Sequence, residues 1–246
     1  MDRMILGRPL YGVYAYKDEG YVQREADIPY YYDSRGVKKP LLIGGENNPL
    51  QVGARKLKDQ NMDGKIDDQD LYYAGSTLPK AYGGFSNQLT WKGFSLFLHM
   101  NYSIGRKVVN QVKASALAFS GSFGPIMEDY THKTFWQKEG DVTDYPSLKF
   151  ASSGYRGQFD GMADSAIENV SFVRLKQATL SYTLPKEWLS NIGVKGMRVH
   201  LTGENLFMLS NYSGLDPEVI DPSSGKDDGR TYPLSRKVSL GLNLNF

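Results

Sequence analysis

The sequence predicts an all-β fold of antiparallel strands. Three observations carry this: apolar residues recur at every second position over several stretches, helical periodicity is scarce, and the composition is aromatic-rich, Gly-rich and free of cysteine. Among 246 residues there are 17 Tyr, 11 Phe and 26 Gly, which suits strands separated by many turns. The absence of cysteine removes disulfides, thiolate metal sites and cysteine nucleophiles. The 29 Lys and Arg nearly balance 27 Asp and Glu, a net charge of +2 that leaves no electrostatic footprint for nucleic acid. A hydrophobic share of 40% is low for a chain that buries a large conventional core. No window approaches the roughly 20 apolar residues of a membrane helix, which excludes a helical membrane protein. It does not exclude a membrane β-barrel, whose strands are short and alternate.

In chain order, the opening Met1-Asp2-Arg3-Met4 has no basic-then-apolar leader, as expected of a cytosolic chain and equally of a piece separated from its N-terminal part. Ile5–Tyr16 is a weak strand candidate. Ala81–Trp91 sets Phe85, Leu89 and Trp91 against Ser86, Gln88 and Thr90. Phe94–Gly105 sets Phe94, Leu96, Leu98, Met100, Tyr102 and Ile104 against Ser95, His99, Asn101 and Ser103, with Phe97 an apolar intruder. In Glu168–Leu184 the apolar phase changes between Leu175 and Ala178, as expected of a bulge or of an upper half beyond lipid. Met197–Leu209 sets Met197, Val199, Leu201, Asn205, Phe207 and Leu209 against Arg198, His200, Thr202 and Glu204. Leu234–Phe246 alternates most clearly, with Val238, Leu240, Leu242, Leu244 and Phe246 on one side. Short helices are expected within Val108–Phe119 and Pro185–Asn191.

The connections are unequal. Lys92-Gly93 is a tight turn and Pro185–Gly196 is short, whereas Lys17–Pro79 and Arg106–Ile167 each run to about 60 residues, which compact soluble β-domains rarely carry without structure. Ser210–Pro233 is of intermediate length. Long and short connections alternate, as in outer-membrane barrels with short periplasmic turns and long outside loops. With the C-terminus periplasmic, all three long connections fall outside and both short ones inside. The expectation is about six strands of an antiparallel transmembrane β-barrel with long extracellular loops.

Particular motifs add to the periodicity. Gly203-Glu204-Asn205-Leu206-Phe207, followed by Tyr212-Ser213-Gly214-Leu215-Asp216-Pro217-Glu218, resembles the penultimate-strand region of the SusC-like (SusC/RagA) TonB-dependent transporters. Tyr232-Pro233-Leu234-Ser235-Arg236 and the ending Gly241–Phe246 are similar to that family's last strand. Val173–Lys176 with Thr179–Pro185, Leu6–Tyr14 and Lys58–Asp70 match three further stretches, in order along nearly the whole chain. The resemblance is to the C-terminal part of such a transporter; signal peptide, TonB-box, plug domain and earlier strands have no counterpart in it. It implies a 22-stranded outer-membrane barrel with a plug, energised through TonB, lidded by a SusD-like surface lipoprotein, and importing oligosaccharides or peptides. Six strands cannot close alone, since the smallest such barrels need about eight. The remainder of barrel and plug is therefore an expected partner, together with outer-membrane lipid.

The strongest chemical motif is Asp59–Asp70, which fits the EF-hand-type loop D-x-[DN]-x-[DN]-G. Ca²⁺ takes six to eight oxygens, and a curled loop delivers them from alternate residues. Asp59, Asn61 and Asp63 are the expected side-chain ligands, Lys65 the carbonyl ligand, Asp67 a direct or water-mediated one, and Asp70 the closing carboxylate. Gly64 supplies the turn and Ile66 an apolar anchor. Asp70 stands where an EF-hand has Glu, and no helix is evident before the loop. A bare Asn/Asp/Gly-rich surface turn, or occupation by Mg²⁺ or Na⁺, are the other readings.

No catalytic constellation is expected. His99 and His200 lie on polar strand faces and His132 in a long loop. Glu204, Asp216, Glu218 and Asp221 are spread over a strand end and a loop, which suits a glycosidase pair poorly. Loop aromatics (Tyr30–Tyr32, Phe135, Trp136, Tyr145, Tyr155, Phe159) suit either stacking on cargo or packing among loops. Trp91 and Trp188 suit an interfacial girdle. The terminal Phe246 after an alternating strand resembles the signal read by the barrel-assembly machinery. Two alternatives are a secreted calcium-binding β-domain acting as an adhesin or glycan-binding module, and a β-rich secreted hydrolase; each would have to bury the apolar faces.

Overall fold

Alternation produces strands where it was read. A computed structural model of the chain describes residues 10–44, 48–115, 133–150, 158, 162–189 and 193–246. Its strands are β1 (Gly12–Ala15), β2 (Asp18–Tyr21), β3 (Tyr30–Tyr32), β4 (Lys38–Pro40), β5 (Leu42–Ile43), β6 (Arg55–Leu57), β7 (Lys65–Ile66), β8 (Tyr72–Ser76), β9 (Ala81–Trp91), β10 (Phe94–Asn110), β11 (Ile167–Thr183), β12 (Gly196–Ser210), β13 (Lys226–Asp227) and β14 (Lys237–Asn245). The chain forms two compact units, one of residues 1–78, 107–168 and 221–230, the other of residues 79–106, 169–220 and 231–246.

The second unit holds the long strands. β9 and β10 form a hairpin in which Leu96 faces Leu89 and Met100 faces Phe85. Its turn is Lys92-Gly93, with positive φ at both residues (44° and 87°). That is the type I′ geometry whose twist matches the strands, and it needs residues that tolerate φ above zero. β11 follows β10 in the sheet and runs antiparallel to it: the Thr183 N–H donates to the Gly93 carbonyl at one end, and the Gly105 N–H to the Ser171 hydroxyl at the other. β12 pairs with β11, and β14 with β12 from Gly196↔Asn245 to Glu204↔Lys237. The result is a meander, each long strand hydrogen-bonded to its predecessor. Among the described residues, the outer edges of β9 and β14 pair with no further long strand.

A bulge interrupts β12. Leu175 pairs with Phe207 but Gln177 with Glu204, so Asn205 and Leu206 together oppose Lys176. Asn205 has φ of 51°, the left-handed conformation that Asn tolerates better than most residues. The change of apolar phase read in β11 is thus matched by an extra residue on its neighbour. The single phase read along Met197–Leu209 is corrected: Phe207 and Leu209 share the face of Val173 and Leu175, opposite to the face of Val199 and Leu201.

The first unit is built from the long connections. Its core gathers Tyr16, Val22, Leu41, Ile43, Leu50, Ala54, Leu57 and Ile66 with Tyr145, Phe150 and Ala163. These connections are therefore folded together on an apolar core of their own. Among the described residues, the weak candidate Ile5–Tyr16 contributes β1, paired with β8 in a two-stranded sheet. The described long sheet accordingly has five long strands plus the two-residue β13, against the six expected; residues 5–9 lie outside the described residues. The expected helices shrink to Gln111–Ser115 and Lys186–Leu189, because Val108–Asn110 extends β10; residues 116–119 and 190–191 lie outside the described residues. No described helix is long and apolar enough to cross a membrane.

Candidate functional site

The aspartate loop is curled by its own side chains. Asp59 accepts from the N–H groups of Met62 (2.7 Å) and Gly64 (2.9 Å) through its two oxygens. Asn61 accepts from the Asp63 N–H, Asp63 from the Lys65 N–H (both 3.1 Å), and Asp67 from the Gln69 N–H (2.8 Å). These are Asx turns, in which a short polar side chain bonds its own backbone two residues on. Asp70 is fully buried and ties both halves of the loop together. One of its oxygens accepts from the Gln60 N–H (2.7 Å), the other from the Asp67 N–H (2.8 Å). Burial raises its pKa above the ordinary carboxyl value, outweighing these N–H groups, which pull the other way. Ile66 is buried and pairs with Ile43, so the expected apolar anchor is in place.

Two features of the loop were not legible beforehand. A Cβ on Gly64, whose φ is 85°, would lie 2.2 Å from Tyr31 Cγ, so an aromatic ring sits where a side chain would go. The Lys65 ammonium reaches Asp67 Oδ2 (3.0 Å) and Asp63 Oδ2 (3.9 Å), and the Asp67 contact raises its pKa first. The donor set of Asp59, Asn61, Asp63, Asp67, Asp70 and the Lys65 carbonyl is of the hard-oxygen kind that suits Ca²⁺. Among the described residues no three His, Cys, Asp or Glu side chains converge as a metal cluster.

The second feature is the surface of the long sheet. Phe85, Leu89, Trp91, Phe94 and Ile104 lie on one face of the β9–β10 hairpin and are all exposed. On β14, Val238 and Leu240 are 70% and 76% exposed, and Phe246 follows at 73%. The opposite face is polar: Ser86 bonds His99 Nδ1 (2.8 Å), Gln88 donates to Ser95 (3.2 Å), and Thr179 and Thr202 share a hydrogen bond (3.0 Å). His99 and His200 both fall on this face; His132 lies outside the described residues. Trp91 and Trp188 are exposed, and the Lys92 ammonium lies 5.1 Å from the Trp91 ring.

At the top of β11, Asp216 and Glu218 are spent on cations. Arg174 and Asp216, each with a side chain 4% exposed, form an ion pair. Arg174 Nε also lies 2.6 Å from Glu218 Oε2, an ion pair without the alignment of a hydrogen bond, and Lys176 donates to Glu218 Oε1 (2.9 Å). Asp216 further accepts from the Leu234 N–H and Asp221 from the Ser223 N–H. Glu204 stands opposite Lys237 in the β12–β14 register. These contacts are structural.

Loop aromatics divide by position. Trp136 and Tyr145 are buried; Trp136 donates to Gln23 (2.9 Å) and Tyr145 stacks on Phe135 at 5.6 Å. Tyr30 and Tyr32 are exposed, their rings edge to face at 5.8 Å, with the Lys38 ammonium 3.7 Å from Tyr30. Tyr155 and Phe159 lie outside the described residues.

Comparison with known proteins places this geometry. No family model matches the sequence. TonB-dependent receptor P26 of Formosa agariphila is 30% identical over 82% of this chain and 20% of its own length. TonB-dependent receptor SusC of Bacteroides thetaiotaomicron is 30% identical over 76% of this chain and 17% of its own. The chain thus spans about a fifth of the curated relatives it matches, which are receptors rather than enzymes. Among solved structures, the RagAB peptide importer in its open-open state aligns with 99% of this chain and 24% of its own, with TM-score 0.63 and 21% identity. Its closed-closed state gives TM-score 0.61 and 23% identity over all of this chain.

Proposed function

Since this chain belongs, over the length it covers, to the SusC-like TonB-dependent receptors, we propose that it forms a wall of an outer-membrane import barrel, lining the lumen with one sheet face and meeting lipid with the other. The observation that carries this is the exposed apolar face of the meander. Large side chains such as Leu89, Trp91, Leu240 and Leu242 stand in contact with solvent, whereas a soluble module would bury them against a second sheet. A membrane strand needs about 9–11 residues. β9 and β14, at 11 and 9 residues, meet that length, while β10 and β11, at 17 each, outlast it. The rest of barrel and plug, a SusD-like lipoprotein and TonB complete the machine. The cargo is an oligosaccharide or a peptide. The test is extraction: the chain should require detergent and co-purify with the remaining barrel strands, and recovery as a soluble monomer would overturn the reading.

We also propose Ca²⁺ at the aspartate loop, held by Asp59, Asn61, Asp63, Asp67, Asp70 and the Lys65 carbonyl, with a purely structural role. The support is the donor chemistry and a backbone already curled by Asp59 and Gly64. Binding that favours the folded loop raises stability by mass action. Calcium titration should raise the melting temperature and protect the Asp59–Asp70 segment from protease; no change in either would count against the site.

A further inference from the structure

The unit built from the long connections contains a cavity of about 140 Å³ that the import reading does not use. Arg55, Lys113 and Lys133 line it, with Ser165 and a single carboxylate, Asp144. Arg55 is the fixed member. Its side chain is 7% exposed, its backbone N–H donates to Gln158 Oε1 (2.6 Å), and its carbonyl accepts from Gln158 Nε2 (2.9 Å). Its Nη1 serves Asp18 and the Ser165 hydroxyl, and the guanidinium lies 5.6 Å from the Tyr21 ring centroid. Its Nε–H is buried and has no acceptor among the described residues. Asp18 pairs with the charge of the guanidinium, but a buried N–H without an acceptor still calls for a partner, because buried polar groups are almost always satisfied. Asp144 does not supply it: its carboxylate accepts from the Thr134 N–H and hydroxyl, and Lys133 lies 3.8 Å away. The pKa of Asp144 is lowered first by the Thr134 N–H, against a smaller effect of burial, and then by the Thr134 hydroxyl, Lys133 and Lys113.

We propose that this cavity binds an oxyanion of carboxylate or sulfate size, with Arg55 as the preorganised donor and Lys113 and Lys133 closing over the charge. A guanidinium suits this task because its planar donors match the oxygens of such groups. The anion is either free in solution or carried on a larger molecule.

The test is calorimetric titration of sodium sulfate and of sodium acetate into the detergent-purified transporter containing this chain, against sodium chloride at matched ionic strength. Saturable binding of sulfate or acetate, weakened at least tenfold in the Lys113→Gln/Lys133→Gln double variant and unchanged in Lys39→Gln, is the expected result. Arg55→Gln should abolish binding; because Arg55 is buried and that variant risks misfolding, the lysine pair keeps the test decisive. Competition by a tripeptide free acid but not by its amide would place the anion on a larger molecule, whereas competition by inorganic ions alone would make it a free ion. Absence of saturable binding, or equal affinity in the double lysine variant, would overturn the proposal. The readout uses simple anions, so its failure leaves the import reading untouched.

Discussion

Gly64 answers two demands at once, a left-handed backbone and the ring of Tyr31 pressed against its Cα. Gly64→Ala is expected to destabilise the loop by at least about 1–2 kcal/mol from backbone conformation alone, with the steric clash in addition. Faster proteolysis between Asp59 and Asp70 without added calcium would show it, and wild-type resistance would refute it. Asp164 is a second hub, accepting from Lys17 Nζ (2.8 Å), the Asp18 N–H (3.0 Å) and the Tyr72 hydroxyl (2.8 Å). Burial pushes the Asp164 pKa up, but these donors together outweigh it and hold it below 3.8. The contribution is therefore full above that value and lost as pH falls through the lower folded one. Tyr72 is pushed up to about 12 by burial first and then by Asp164. The unfolded chain releases this proton near 10, so stability falls between pH 10 and 12. Denaturation midpoints should drop in both windows, and Asp164→Asn should remove the acid drop and reduce the alkaline one, whose larger cause is burial; unchanged acid dependence in that variant would exclude Asp164 as the source. The aspartate loop was legible because its turns are local in sequence. The Arg174–Asp216 pair was not, since its members are 42 residues apart and no local pattern announces them.

At the scale of elements, period two located the five long strands, with both ends of β9 where expected. It failed at the bulge, because alternation counts residues and the extra residue on β12 keeps apparent phase while reversing the face. Of the weak candidate Ile5–Tyr16, the described residues Gly12–Ala15 serve the small β1–β8 sheet. β14 offers the sharpest test. Its apolar residues are exposed and it lies at a sheet edge, so nothing within the described chain depends on burying them. Leu242→Asp with Leu244→Asp places charges on the side proposed to face lipid, where Arg or Lys costs about 2–4 kcal/mol at mid-membrane and Asp less. That variant, and deletion of Phe246, should each sharply reduce the barrel protein recovered in outer membranes. Normal surface amounts would show that this strand is not read during insertion.

On the scale of the whole molecule, the unequal spacing of strands anticipated a barrel segment, but the long connections read as loops because their apolar residues follow no single period. Their core is assembled from residues distant in sequence, Tyr16 to Ile66 on one side and Tyr145 to Ala163 on the other. Such contacts are invisible to a window moving along the chain. Bringing them together requires closure over long stretches of intervening chain, a topology associated with slow folding. This shared core makes covalent continuity partly redundant once folding is complete. A protease that cuts at the exposed Val142 leaves two fragments, each holding part of one apolar cluster. Such a nicked molecule should migrate intact under native conditions and separate only when denatured, and fragments that part without denaturant would disprove it. Under the proposed import reading, which puts these loops outside the cell, that amounts to tolerance of wear: scission at a tip becomes damage the fold can carry.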